Sequence, residues 1–69
     1  MEFEPIALCN RIVIERKSGP DIIETSHLGM DVSVSSVFIK IEHRDAPEVV
    51  LVRNVEIAKV IMLSDEFAV

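Results

Sequence analysis

Few side chains in this 69-residue chain have the type and spacing that catalysis or metal binding requires. Cys9 is the one cysteine, and the two histidines, His27 and His43, are interpreted as an ordinary strand residue and a turn residue. The chain has no Cys/His cluster with metal-ligand spacing, no nucleophile elbow and no glycine loop that would cradle a phosphate. Cys9 is expected to be a small buried hydrophobe in a reducing compartment, with a reactive thiol as the alternative. The sequence therefore predicts a protein that is not an enzyme and that uses no metal or cofactor.

The most informative polar spacing lies in residues 52–60, which run apolar-Arg-Asn-x-x-apolar-x-x-apolar. Residues 12–19 form a β-branched run that ends in a glycine turn, and residues 29–35 read Gly-Met-Asp-Val-Ser-Val-Ser. In this order the segments resemble the two motifs of the Sm/LSm family, which includes the bacterial Hfq branch. The second motif of that family reads apolar-Arg-Gly-x-x-apolar-x-x-apolar. The resemblance covers about residues 12–61 of the chain.

The resemblance implies a site for a base of single-stranded RNA or DNA, formed where two loops converge. A flat base needs a stacking face, a group that reads its edge and a cation near its phosphate. The implied nucleic-acid-binding residues are Asp31, Ser33 and Ser35 in one loop, with Arg53 and Asn54 in the other.

Two of these positions also have a purely structural interpretation. Arg53 could be a strand-end arginine that pairs with Asp31 or Glu56, or one that is simply solvated. Asp31 could be a residue whose carboxylate caps the start of a loop. The residues alone leave both alternatives open.

Several residues depart from the family pattern. Ser33 stands where the family stacks a base on His or an aromatic ring, and Ser35 stands where it reads uracil with Asn. Ser33 has no π-face, and stacking contributes roughly 1–3 kcal/mol per base, so the family's preference for uridine is not carried over. Asn54 replaces Gly, which is tolerable because Asn adopts left-handed backbone more easily than most residues. One residue more than usual separates Gly19 from Asp31, and a bulge would absorb it.

The resemblance also implies a homo-oligomeric ring, in which the fourth strand of one subunit joins the fifth strand of the next. In this chain those strands correspond to residues 48–54 and 55–63. Joining them would stabilise a chain of roughly 70 residues, whose core alone supplies only about 3–5 kcal/mol. The short length of the chain would be compatible with a phage-encoded member of the family.

The elements that must position these residues are predicted to be short strands. Val and Ile number ten and nine against four Leu, a skew that favours pleated sheet over a helical bundle. Residues 31–36 are interpreted as a loop, with strand as the alternative, and residues 4–8 as one short helical turn. Residues 55–63 favour a strand over an amphipathic helix. The remaining strands are predicted over residues 11–17, 22–30, 37–42 and 48–52.

These strands predict an all-β fold, a small five-stranded and strongly bent barrel that is SH3-like or Sm-like, with an OB-like barrel as the alternative. The whole chain, 1–69, is expected to be one domain, with an N-terminal segment over residues 1–10 and an acidic tail over residues 64–69. No apolar run approaches the ~20 residues that cross a bilayer, and no signal peptide is apparent. A cytoplasmic protein without membrane contact is expected.

The net charge of −5 argues against nucleic acid at first sight, since Lys and Arg supply most of the affinity for phosphates. Four of the twelve acidic residues, however, lie at the two ends of the chain. The rest of the chain contains eight acidic and seven basic residues. The body is therefore close to neutral. The end residues are Glu2, Glu4, Asp65 and Glu66.

The leading hypothesis is a non-catalytic Sm-like ring protein that binds single-stranded RNA or DNA and acts in nucleic-acid processing or regulation. The alternative is an acidic protein-interaction or inhibitory module on an SH3-like barrel, which the net charge and the missing stacking residue favour. A third interpretation is a purely structural oligomer without a ligand.

Overall fold

A computed structural model describes residues 2–64, which form one antiparallel sheet of five strands in the order β4-β3-β2-β1-β5. The prediction of a small, five-stranded all-β domain is confirmed, but the sheet does not close into a barrel: β4 and β5 are its two edges. No helix in the described part of the chain is long and apolar enough to cross a membrane. The elements are β1 (Glu4–Arg16), β2 (Ile22–Val34), β3 (Phe38–His43), β4 (Val49–Arg53), the 3-10 turn η1 (Asn54–Glu56) and β5 (Ile57–Leu63).

The first strand begins seven residues earlier than predicted, so the helical turn expected over residues 4–8 is wrong. Glu4 pairs with Val34 and Leu8 with Asp31, and these pairings to β2 outweigh the local preference for a turn. Pro5 is tolerated because β5 pairs with β1 only from Arg11 onwards, which leaves this half of β1 without a neighbour on its other side.

The loop expected over residues 31–36 is also wrong, and the strand alternative is the one observed. β2 continues to Val34, and its second half is paired on both sides, with β1 and with β3. Short polar side chains are accommodated there because alternate residues of a strand point away from the core. The loop shrinks to the turn of residues 35–37.

The core consists of aliphatic and sulfur-containing side chains and lies on one face of the sheet. The thiol of Cys9 is buried, as predicted, and burial raises its pKa. The alternation of residues 37–42 predicts that Val37, Ile39 and Ile41 share one face; Ile39 and Ile41 do face the core, whereas Val37 lies in the turn and is exposed. The buried hydrophobic residues are Cys9, Ile12, Ile14, Met30, Val32, Ile39, Ile41 and Val52.

The opposite face of the sheet, which we call the outer face, is formed by the alternate residues of the same strands. In one cross-strand row Leu8, Asp31, Glu42 and Val49 are neighbours. The next cross-strand row consists of Pro5, Ser33, Lys40 and Leu51. In the row after that, Phe38 pairs with Arg53. All of the predicted site residues that lie on strands are on this face.

The pairing of the first two strands changes register within the segment between Gly19 and Asp31. Pairing between β1 and β2 shifts between Cys9 and Arg11, opposite residues 26–29 of β2. Gly29 lies there with a φ of +101°, and a Cβ atom at Gly29 would come within 2.9 Å of the Leu8 side chain. The positive φ is what favours glycine at this position, because L-residues rarely adopt it, whereas the Leu8 side chain could move to admit a Cβ atom.

Candidate nucleic-acid interface

The two segments that resemble the family motifs meet where the β2–β3 turn contacts η1. The side-chain amide of Asn54 donates to the carbonyl of Ser35 at 3.0 Å, and its backbone N–H donates to the carbonyl of Val37 at 2.7 Å. The Ser35 hydroxyl in turn accepts from the backbone N–H groups of Val37 and Phe38. These bonds fix the positions of both segments relative to each other.

Asn54 has a different role from the one expected. It opens η1, a 3-10 turn, whose backbone is right-handed, so tolerance of left-handed backbone is not what favours Asn here. Its side chain instead joins the two segments through the bond to Ser35, a bond that a glycine could not make.

Arg53 is exposed at the end of β4, directly beside this junction. Within residues 2–64 its guanidinium makes no ion pair with Asp31, Glu56 or any other carboxylate, so of its two structural alternatives the solvated arginine is the one observed. A solvated cation therefore stands next to Ser35 and Asn54.

Asp31 and Ser33 lie within β2 and not in the loop that was expected to hold them together with Ser35. Four residues of strand span roughly 13 Å, so Asp31 is well separated from Ser35. Ser33 is only 8% exposed, between its cross-strand neighbours Pro5 and Lys40. The structure thus brings together Ser35, Arg53 and Asn54 but not the whole predicted set.

The carboxylate of Asp31 forms an ion pair with an arginine from the β3–β4 turn. Arg44 donates to both carboxylate oxygens, at 2.8 and 2.9 Å. These hydrogen bonds, together with the charge of Arg44, hold the pKa of Asp31 below its ordinary value. The carboxylate of Asp31 is therefore engaged within the chain.

We expect Arg44→Gln to bring the pKa of Asp31 back towards its ordinary value. Because the folded-state pKa is lowered, the pair stabilises the fold at pH values above the ordinary carboxyl range, and this contribution is lost as the pH falls through the lowered pKa. The effect on stability should be small, since both side chains are about half exposed. Carboxyl-detected NMR titration measures the pKa, with Arg11→Gln as the control that removes the same charge elsewhere; an unchanged titration in Arg44→Gln would contradict the assignment.

A polar cluster that no sequence motif predicts surrounds His43, which ends β3 and is not a turn residue. Its side chain is 6% exposed; Nε2 lies 2.9 Å from Glu24 Oε1 and Nδ1 lies 4.0 Å from Asp45 Oδ1. Ser26 donates its hydroxyl to Asp45 and not to the imidazole, so the cluster lacks the nucleophile-base contact of a hydrolase. The four residues are up to 21 positions apart in the chain, and only the fold brings them together.

Among residues 2–64 no three His, Cys, Asp or Glu side chains are arranged to hold a metal ion. Comparison with protein-family models, with curated proteins and with solved structures finds no match to this chain.

Proposed function

We propose that this chain is an Sm-like subunit that assembles into a homo-oligomeric ring and binds single-stranded RNA, or DNA, without catalysing a reaction. The observation that carries the proposal is the junction described above. Two segments separated by 16 residues of sequence, each resembling one motif of the family, are hydrogen-bonded to each other through Asn54 and Ser35.

The edges of the sheet support the assembly part of the proposal. The two strands that the resemblance joins between subunits, β4 and β5, are the first and last strands of the sheet and so have one side free along their length. Both also carry exposed hydrophobic side chains: Val49 and Leu51 on β4 are just over half exposed, and so is Leu63 on β5. An exposed apolar edge strand favours pairing with another chain.

The charge pattern supports the binding part. Arg53, at the junction, carries a positive charge that no carboxylate of the described residues neutralises. A phosphate near Ser35 could therefore be bound without breaking an ion pair within the chain. A phosphate near Asp31, by contrast, would have to displace the Asp31 carboxylate from Arg44. Phosphate contacts of this kind supply most of the affinity for a single strand.

We expect Arg53→Ala to weaken the binding of single-stranded RNA by about tenfold at low salt, the effect of losing one charge-assisted hydrogen bond. Fluorescence anisotropy with labelled homopolymers of roughly 16 nucleotides measures this, with RNA and DNA strands of each base in parallel. Arg11→Ala, which removes the same charge from an exposed position of β1, is the matched control and should bind like the wild type.

The wild-type control decides the proposal itself. A chain that binds none of the strands at low salt, where electrostatic attraction is strongest, would contradict nucleic-acid binding. Capture of a protein partner together with a strictly monomeric mass would favour the interaction-module alternative instead.

A further inference from the structure

The aromatic residues of the described chain lie outside the core. All eight buried core residues are aliphatic or sulfur-containing, while Phe3 and Phe38 are only partly buried. In a small domain large aromatic rings usually supply much of the buried apolar area. Their position outside this core therefore requires another explanation.

Both rings belong to the surroundings of Ser33, the position at which no stacking side chain is present. Lys40 is the cross-strand neighbour of Ser33, and its ammonium lies 4.5 Å from the centroid of the Phe3 ring. Phe38 is two residues from Lys40 on β3 and so lies on the same outer face. Its cross-strand neighbour is Arg53.

The outer face thus presents alternating rings and cations beside the junction of the β2–β3 turn with η1. A surface depression next to Phe3 is lined by Ser35 and Ser36 of that turn. Rings offer stacking faces that accept any base, and cations beside them contact the phosphates that connect successive bases. A continuous strand could therefore follow the face from the junction to Lys40.

We propose that Phe3 and Phe38 are the base-stacking residues of this protein, and that Lys40 and Arg53 contact the phosphates between the stacked bases. This inference rests on the proposed function, because it names the residues of the same interface. It assigns to the N-terminal segment and to β3 the stacking role that Ser33 cannot perform. Acidic neighbours limit the affinity: Glu42 lies 3.9 Å from Lys40, and Glu2 and Glu4 line the depression beside Phe3.

Phe3→Leu and Phe38→Leu each remove a ring and keep an apolar side chain, and each should weaken binding by at least about fivefold. The loss is expected with RNA and DNA strands alike, because every base has a π-face. Phe3→Tyr and Phe38→Tyr keep the ring and should retain wild-type affinity. Light scattering and circular dichroism on every variant show whether mass and fold are preserved, and the Phe3 variants, which change a residue ahead of β1, test the inference even if Phe38→Leu does not fold.

A fluorescence measurement reports stacking directly. The chain has no Trp and no Tyr, so Phe3→Trp introduces a single indole. Its emission should be quenched when a strand binds, whereas an indole at the exposed position 23, introduced by Ile23→Trp in the first half of β2, should be unaffected.

The results that would overturn this inference differ from those that would overturn the proposed function. A wild-type protein that binds no strand overturns both. A wild-type protein that binds, with Leu variants of equal affinity or a Phe3→Trp indole that is not quenched, overturns only the assignment of the two rings. Equal loss in the Leu and Tyr variants would also overturn it, because the Tyr variants retain the rings.

Discussion

Leu51→Pro is expected to convert the proposed ring into monomers of 7.7 kDa without unfolding the chain. Two hydrogen bonds at the ends of β4 determine which of its residues face β3: Glu48 accepts from His43, and Asn54 donates to Val37. Hydrogen-bonded pairs alternate along an antiparallel ladder, and no register shift intervenes, so the backbone of Leu51 faces the free edge. Proline at position 51 removes the N–H that a strand of a second subunit needs and leaves the bonds to β3 in place.

Light scattering measures the mass of this variant, and Leu51→Ala is its control. The alanine variant keeps the backbone N–H and should remain assembled. Should the proline variant fail to fold, Leu51→Lys provides a second test, because a charge on an edge strand opposes pairing while leaving the backbone intact. An unchanged mass in a folded Leu51→Pro or Leu51→Lys protein would show that β4 does not join subunits.

Ile41→Ala is expected to leave the chain largely unfolded. The side chain of Ile41 is fully buried at the centre of β3, and its truncation should cost about 2–5 kcal/mol. The whole core of so short a chain supplies only about 3–5 kcal/mol, so little stability would remain. Chemical denaturation followed by circular dichroism measures the change in the free energy of unfolding.

Leu28→Ala is the comparison for this substitution. Leu28 is 62% exposed, and its truncation should change the free energy of unfolding by roughly 0.5 kcal/mol at most. If assembly supplies part of the stability, the melting temperature of the wild type should also rise with protein concentration. Equal stability of the two alanine variants would contradict the position assigned to the core.

The strand content could be predicted from the sequence because it depends on local properties. The β-branched run of residues 11–17 and the alternation of residues 37–42 each specify a strand without reference to the rest of the chain. The two wrong predictions, a helical turn over residues 4–8 and a loop over residues 31–36, have a non-local origin. Residues 4–8 and 31–34 have weak local preferences, and they are extended because each pairs with the other across the sheet.

The candidate site was predictable only in part, for the same reason. Arg53 and Asn54 stand out by their spacing, and the junction with Ser35 joins residues that the motifs already singled out. The engagement of Asp31 by Arg44, and the position of Phe3 beside Lys40, depend on contacts between distant segments. No periodicity or motif in the sequence encodes these contacts.

Native mass spectrometry of the wild-type chain mixed with a single-stranded RNA tests the central proposal most directly, because one spectrum reports both assembly and binding. We predict one dominant species whose protein mass is a whole multiple of 7.7 kDa and which retains the RNA strand. A 7.7-kDa monomer, or an oligomer that retains no RNA at low salt, would contradict the proposal that the chain forms a ring that binds a single strand.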